Sequence, residues 1–293
     1  MKKHSRLLIC VFLIFLIPAT ALRAQGGAVF ENLSLESVIM KRKMNYALYL
    51  PPGYHHATRS YPVLYFLHGM NENHTAWLRS GQLKQTLDAL IQSGKLKPLI
   101  VIMPDAGMSY YMNSVSGQPA YESYFFDEFM PYVEDIYRVS KGKQNRSIGG
   151  FSMGGYGALL YALRKPELFR TCLAFSPGVR TDEEINALSE RDYNMRYRIA
   201  LGEYKANEER ATPYYQVHYS VLNLVLNLPD KEKKAVRFYV DCGDDDFLYK
   251  GNSYLHIMMR DGGFRHEYRV RDGGHTWAYW RGGLRDALLF LDL

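Results

Sequence analysis

The chain has 293 residues, of which 47% are hydrophobic, and a formal net charge of +6 at pH 7. This length suits one large globular unit, and three cysteines are too few for a small disulfide-rich scaffold. Residues 1–24 contribute four positive charges and no acid, so without them the net charge falls to +2 and no basic stripe for nucleic acid remains.

Residues 1–24 have the pattern of a secretory signal peptide. Basic residues come first, an apolar stretch follows over residues 7–17, and small residues lead to a cleavage site near position 24. Eleven apolar residues fall short of the roughly 20 that span a bilayer, so an uncleaved anchor is the minor alternative. We expect an exported protein, periplasmic or secreted, without stable membrane insertion after cleavage.

Strand-like apolar runs alternate with helical patterns over residues 25–293. The predicted strands are residues 47–50, 63–67, 99–103, 147–151, 172–175, 236–241 and 267–270, with helical patterns such as residues 83–93 and 125–137 between them. This alternation predicts a single α/β domain with a mostly parallel sheet covered on both faces. The long segment 181–230 is predicted to be a cap over the ligand pocket, with a plain helical excursion as the alternative.

The motif Gly150-Phe151-Ser152-Met153-Gly154 lies between a predicted strand and a helical run rich in small residues. A serine on a sharp strand-to-helix turn needs glycine two positions to either side, because the backbone segments come too close for a Cβ atom. Ser152 is therefore the predicted nucleophile. The alternative is a glycine-rich turn with an incidental serine.

A serine hydroxyl needs a base, and in this strand–turn–helix context the base follows the acid in the chain. Three histidines come late enough, but His256 lies in a helical run and His266 opens a strand. His275 alone lies in a glycine-containing loop directly after a strand. We therefore predict His275 as the general base, against the alternative of a surface loop histidine.

The acid is expected in the loop after the strand at residues 236–241, which contains Asp244, Asp245 and Asp246. Spacing alone does not choose among these three aspartates. A calcium loop is the structural alternative, but the alternating ligand spacing of known calcium loops is missing.

The tetrahedral intermediate needs two N–H donors. The residue after the nucleophile, Met153, is expected to supply the first. Met70, in the loop after the strand at residues 63–67, is the candidate for the second. His68 in the same loop is expected to pack and bond locally.

Aromatic residues near the predicted site could stack on a sugar or a feruloyl ring, with core packing as the alternative. Tyr110, Tyr111 and Trp277 are the candidate substrate contacts, and the other tyrosines in candidate loops are Tyr121, Tyr214 and Tyr215. Trp280 is expected in the core, because it begins an apolar stripe at helical spacing.

Cys172 and Cys242 are expected to be buried thiols. The sequence contains no metal-ligand cluster, phosphate loop or dinucleotide motif, so we expect neither a metal nor another cofactor.

Five motifs in order carry a family resemblance, namely residues 47–54, 61–69, 150–155, 241–248 and 273–277. Together they resemble the esterase D superfamily of α/β-hydrolases, and the ending with Trp277 and Trp280 is most similar to feruloyl and acetylxylan carbohydrate esterases. The resemblance implies Ser152, Asp246 and His275 as the catalytic triad. It also implies the N–H groups of Met70 and Met153 as oxyanion donors. Residues 156–158 depart from this pattern and resemble short-chain acyl esterases and S-formylglutathione hydrolases equally well.

We expect an exported serine esterase that hydrolyses acetyl or feruloyl esters on carbohydrates through an acyl-enzyme. Its partner would be a small-molecule or oligosaccharide ester. The alternatives are an acyltransferase of the mycolyltransferase type, a general short-chain carboxylesterase, and a catalytically silent binding protein. S-formylglutathione is disfavoured, because that substrate is cytosolic and the chain has an export signal.

Overall fold

The structure, a computed structural model, describes residues 26–293, and the signal peptide predicted over residues 1–24 lies outside them. Eight strands form one sheet in the order β1-β2-β4-β3-β5-β6-β7-β8. The strands are β1 (Ala28–Ser37), β2 (Arg42–Leu50), β3 (Val63–Leu67), β4 (Ile100–Pro104), β5 (Arg146–Phe151), β6 (Thr171–Phe175), β7 (Arg237–Asp241) and β8 (His266–Arg269). Strands β3 to β8 run parallel to one another, whereas β1 and β2 are antiparallel to their neighbours.

Helices cover both faces of this sheet. Within residues 26–293 they are α1 (Ala76–Arg79), α2 (Leu83–Gln92), α3 (Tyr121–Ser123), α4 (Met130–Ile136), α5 (Met153–Arg164), α6 (Asp182–Asn186), α7 (Glu190–Leu201), α8 (Pro213–His218), α9 (Val221–Asn227), α10 (Asp230–Lys233), α11 (Tyr249–Asp261) and α12 (Trp277–Phe290). A π-helical turn at Tyr124–Phe129 joins α3 to α4. None of the helices in this part of the chain is long and apolar enough to cross a membrane.

The sheet separates two apolar cores. Side chains of α5 and of the α3–α4 segment pack on one face, and those of α1, α2 and α12 pack on the other. All five residues of β3, β4 and β6 are buried, which is typical of central parallel strands covered on both faces. The carboxyl ends of β3, β5, β6, β7 and β8 therefore share one edge of the sheet, where their following loops meet.

The prediction of an α/β-hydrolase fold with a mostly parallel sheet is confirmed. Each predicted strand is present within a few residues of its expected limits, although β2 begins at Arg42 rather than at residue 47. The sequence analysis missed β1, an edge strand whose side chains are mostly half-buried and which contains a bulge between Phe30 and Leu33. Cys172 and Cys242 are both buried and carry free thiols.

Candidate active site

Ser152 lies on the turn between β5 and α5 in a conformation that is rare for an L-residue. Its φ and ψ angles are 54° and −120°. The Ser152 N–H donates to the Phe175 carbonyl at 2.8 Å, and its carbonyl accepts from the N–H groups of Gly178 at 2.9 Å and Tyr156 at 3.0 Å. Hydrogen bonds to β6, to the loop after it and to α5 therefore hold the Ser152 backbone in this strained conformation.

Two glycines make this turn possible. A Cβ atom on Gly150 would lie 2.6 Å from the backbone of Gly154, and one on Gly154 would lie 2.5 Å from the Leu67 carbonyl oxygen. Real Cβ atoms do not approach backbone atoms so closely, and backbone cannot move aside as a flexible side chain can. The glycines predicted from the motif are therefore required by the packing of β5 against the start of α5 and the end of β3.

Ser152, His275 and Asp246 form a hydrogen-bonded line at the shared edge of the sheet. The Ser152 Oγ atom lies 2.8 Å from His275 Nε2, and His275 Nδ1 lies 2.9 Å from Asp246 Oδ2. An ionised carboxylate can only accept, so Nδ1 carries the proton and Nε2 is left as the acceptor that faces the serine hydroxyl. This tautomer is the one that a general base requires.

Burial distinguishes the three consecutive aspartates. Asp244 and Asp245 are exposed, whereas Asp246 is 1% exposed and contacts His275. Burial by itself would raise the pKa of the Asp246 carboxyl, but hydrogen bonds from His275, the Leu248 N–H and the Ser176 hydroxyl outweigh it and lower this pKa. The Asp246 carboxylate therefore stays ionised beside the imidazole.

The loops that carry Asp246 and His275 are joined to each other. Asp244 Oδ1 accepts the Gly273 N–H at 3.0 Å, and a Cβ atom on Gly243 would lie only 1.8 Å from the Gly273 carbonyl oxygen. The carboxylates of Asp244, Asp245 and Asp272 come within 4.8 Å of one another, but all three are exposed, and an exposed acidic cluster is common without an ion.

Aromatic rings enclose the His275 imidazole. The Phe247 ring centroid lies 4.7 Å from it, and the Trp280 ring meets it edge to face at 4.9 Å. Trp280 is 4% exposed, as expected of a core residue, but it also borders the cleft. Its Nε1–H donates to Ser176 Oγ at 3.0 Å, and the Ser176 hydroxyl helps to lower the pKa of Asp246. The sequence analysis missed Ser176, whose only signal is its position directly after β6.

The loop after β3 is fixed by His68. Its Nε2 accepts the Ala106 N–H at 2.8 Å, and its Nδ1 then donates to the Gly69 carbonyl at 2.8 Å. Met70 follows in this loop and borders the cleft, whereas Met153 is the first residue of α5. Among residues 26–293, no backbone acceptor is paired with the N–H of either methionine. Neither N–H group is therefore used by the backbone of the described residues.

Ser152 and His275 open onto a cleft of about 370 Å³. The Phe151 and Trp277 rings, 4.5 Å apart, form part of its wall. Trp277, a predicted substrate contact, therefore lines the cleft. Its Nε1–H donates to Glu72 Oε1 at 3.2 Å. Arg180 and Arg196 border it as well, and the sequence analysis identified neither of them.

The prediction that Tyr111 contacts substrate is wrong. Tyr111 is fully buried, its hydroxyl donates to the His68 carbonyl at 2.9 Å, and its ring packs where a Cβ atom on Gly157 would clash. Tyr110 is only 3% exposed, although it borders the cleft. Of the other tyrosines considered, Tyr121 and Tyr215 are core residues as well. The absence of a side chain at Gly157 of α5 leaves the space that the Tyr111 ring fills.

Comparisons with known proteins agree with this architecture. The Esterase family model matches residues 37–291. The chain belongs to the Esterase family. This assignment confirms the esterase class predicted from the five motifs. A solved ferulic acid esterase superposes with a TM-score of 0.78 at 31% identity, and the match covers 91% of this chain and 97% of that one.

Three curated relatives are similar to parts of this chain. An endo-1,4-beta-xylanase/feruloyl esterase of Xylanibacter ruminicola is 35% identical over 145 residues, which cover 47% of this chain and 20% of that protein. An acetyl esterase of Caldicellulosiruptor saccharolyticus is 24% identical over 74% of this chain and 78% of its own length. An S-formylglutathione hydrolase of Mus musculus is 31% identical over 53% of this chain and 58% of its own length. The chain thus spans only about a fifth of the first relative.

Proposed function

We propose that the protein is a serine esterase that hydrolyses acetyl- or feruloyl-type esters of carbohydrates. The observation that carries the proposal is the line from Ser152 Oγ through His275 to the buried Asp246 carboxylate, with contacts of 2.8 and 2.9 Å. Its support is the combination of this geometry with a cleft that opens directly onto the serine.

In the first half of the reaction, the Ser152 hydroxyl attacks the ester carbonyl while His275 Nε2 takes its proton. The ester C–O bond then breaks, and the imidazolium returns the proton to the departing alcohol. Asp246 holds the imidazole in the reactive tautomer and stabilises its cationic form. The N–H groups of Met70 and Met153 would donate to the oxygen that becomes negative in the tetrahedral intermediate.

In the second half, water replaces the alcohol. His275 takes a proton from the water as the water attacks the acyl carbon, and Ser152 leaves with that proton restored. The free acid and the starting enzyme result. All the chemical groups needed are side chains and backbone N–H groups of this chain.

The choice of substrate rests on the cleft and on the relatives. The half-buried Trp277 ring, which packs on Phe151 and borders the cleft, offers an aromatic surface that suits a feruloyl ring or the apolar face of a sugar. The relatives named as feruloyl and acetyl esterases favour the same two acyl groups. Export, which the pattern of residues 1–24 predicts, would bring the enzyme to polysaccharide fragments outside the cytoplasm.

The test is hydrolysis of methyl ferulate, acetylated xylan, 4-nitrophenyl acetate and S-formylglutathione by the wild-type protein and by Ser152→Ala. We expect turnover of an oxygen ester, reduced about 10⁴- to 10⁶-fold in the variant, whose thermal unfolding should match the wild type. Turnover near the wild-type rate in Ser152→Ala would contradict the assigned nucleophile. Activity on the thioester alone would contradict the carbohydrate-ester assignment.

A further inference from the structure

Arg180 is a buried cation at the wall of the active-site cleft. It lies in the loop that follows β6, and only 8% of its surface is exposed. That exposed part borders the same cleft as Ser152 and His275. A guanidinium group keeps its positive charge at every pH relevant to a protein, so this wall of the cleft is permanently cationic.

The surroundings of Arg180 hold its position without neutralising its charge. Its guanidinium interacts electrostatically with the hydroxyls of Tyr110 and Tyr197 and lies 5.9 Å from the centre of the Phe247 ring. Within residues 26–293, no Asp or Glu oxygen lies within 4.0 Å of it. Glu184 is the acid that acts on it electrostatically, but the Glu184 carboxylate bonds the Thr181 N–H at a helix start.

Two partly buried arginines, Arg138 and Arg210, bond backbone carbonyls, whereas three others have carboxylate partners at distances of 2.6 to 3.1 Å. These pairs are Arg146 with Glu134, Arg164 with Glu122, and Arg271 with Asp241. A buried charge without a counter-charge is unfavourable, and proteins ordinarily pair it. Arg180 is more buried than the arginines of these three pairs, yet it has no carboxylate partner among the described residues.

A second cation lies on the same side. Arg196, from α7, borders the cleft and bonds Asp192, whose side chain is 46% exposed to solvent. Glu72 lies across the cleft, against Trp277. The cleft is therefore polarised, with positive charge at the Arg180 side and negative charge at the Trp277 side.

We propose that Arg180 binds a carboxylate carried by the ester substrate, so that the enzyme prefers acidic esters over neutral ones. The inference rests on the proposed function and adds the substrate's charge to it. A carboxylate matches the planar guanidinium fork, and it would supply the counter-charge that the protein itself does not. The acid could be on the alcohol, as in a uronic acid, or on the acyl group, as in a half-ester of a diacid.

Two pairs of substrates separate these sources. In the alcohol pair, 4-acetoxybenzoate is compared with its neutral methyl ester. In the acyl pair, mono-4-nitrophenyl adipate is compared with 4-nitrophenyl hexanoate. For each pair the measurement is the kcat/KM of the charged ester divided by that of the neutral one, a ratio that does not depend on the fraction of folded enzyme.

In Arg180→Met we expect this ratio to fall on the order of 100-fold in one of the two pairs, because a desolvated charge pair is lost. The pair that responds identifies which side of the ester carries the acid. Arg180→Lys should retain part of the preference, since it keeps the charge but not the fork. Arg285→Met removes an exposed arginine and should leave both ratios unchanged. Equal ratios in wild type and Arg180→Met for both pairs would overturn the proposal.

A measurement on the wild-type enzyme covers the case in which Arg180→Met does not fold. Benzoate should inhibit hydrolysis of 4-nitrophenyl acetate competitively and at least ten-fold more strongly than benzamide, an effect that weakens as salt is added. Equal inhibition by the two compounds would overturn the carboxylate site. If neutral esters are cleaved in a Ser152-dependent way, but the charge of the ester or inhibitor does not change kcat/KM or inhibition, only this inference fails. If Ser152→Ala remains active, the proposed function fails.

Discussion

Replacing Asp246 with asparagine tests the acid assignment with almost no change in size. Asp246 Oδ1 accepts the Leu248 N–H at 2.9 Å, and Oδ2 accepts from His275 Nδ1 at 2.9 Å. An asparagine that keeps its carbonyl oxygen on Leu248 turns its NH₂ group toward Nδ1. The imidazole proton then moves to Nε2, which faces Ser152, and the base is lost.

The same substitution lowers kcat about 10⁴-fold in a serine protease, equivalent to about 5.4 kcal/mol of transition-state stabilisation. We expect a loss of that order here, because the Asp246 side chain is fully buried and water cannot replace it. The assay is kcat/KM for 4-nitrophenyl acetate at pH 7, with calorimetry to establish that the variant is folded.

Asp245→Asn is the matched control, since Asp245 is adjacent in the chain, exposed, and outside the contact with His275. It should change kcat/KM by less than about three-fold, as surface substitutions usually do. A large loss in Asp245→Asn together with near wild-type activity in Asp246→Asn would refute the assignment.

Three further predictions test the framework of the site. Gly154→Ala should abolish folding or activity because its Cβ would lie 2.5 Å from the Leu67 carbonyl, whereas Gly178→Ala, with no contact closer than 3.5 Å, should unfold near the wild-type temperature. Tyr111→Ala should lower the unfolding free energy by about 3 to 5 kcal/mol, measured with denaturant, and an unchanged stability would contradict its core position. Burial would raise the pKa of Asp105, but its surroundings, which include hydrogen bonds from the His74 imidazole at 3.2 Å and the Gly107 N–H at 2.9 Å, lower it overall, so its stabilising effect is present above about pH 4 and lost as pH falls further. Asp105→Asn should therefore weaken stability at pH 7 and flatten its acid dependence, and a curve parallel to that of the wild type would exclude this role.

The sequence was sufficient for the features that depend on local spacing. The elbow around Ser152 could be predicted because two glycines at fixed offsets express a steric requirement of the turn itself. The position of His275 followed from strand order. Among the aspartates, only the family resemblance favoured Asp246, because exposure depends on how the loop closes against Gly273.

The sequence analysis failed where the decisive contact comes from a distant part of the chain. Tyr111 has the composition of a binding residue, but Gly157, in another element, creates the space that its ring occupies. No sequence motif includes Arg180. It became a candidate for substrate binding only because no carboxylate lies near it among residues 26–293. The burial of Ser176 behind Asp246 likewise depends on β6 lying beside β7.

The close approach of Gly243 to Gly273 has a consequence for engineering this enzyme. The loop with Asp246 and the loop with His275 touch directly at Gly243 and Gly273, where a Cβ atom would not fit, and the Asp244 carboxylate also binds the Gly273 N–H. A graft that replaces one loop with that of a relative would shift the other loop and spoil the alignment of the imidazole. Recombination should therefore exchange residues 242–248 and 271–277 as one unit.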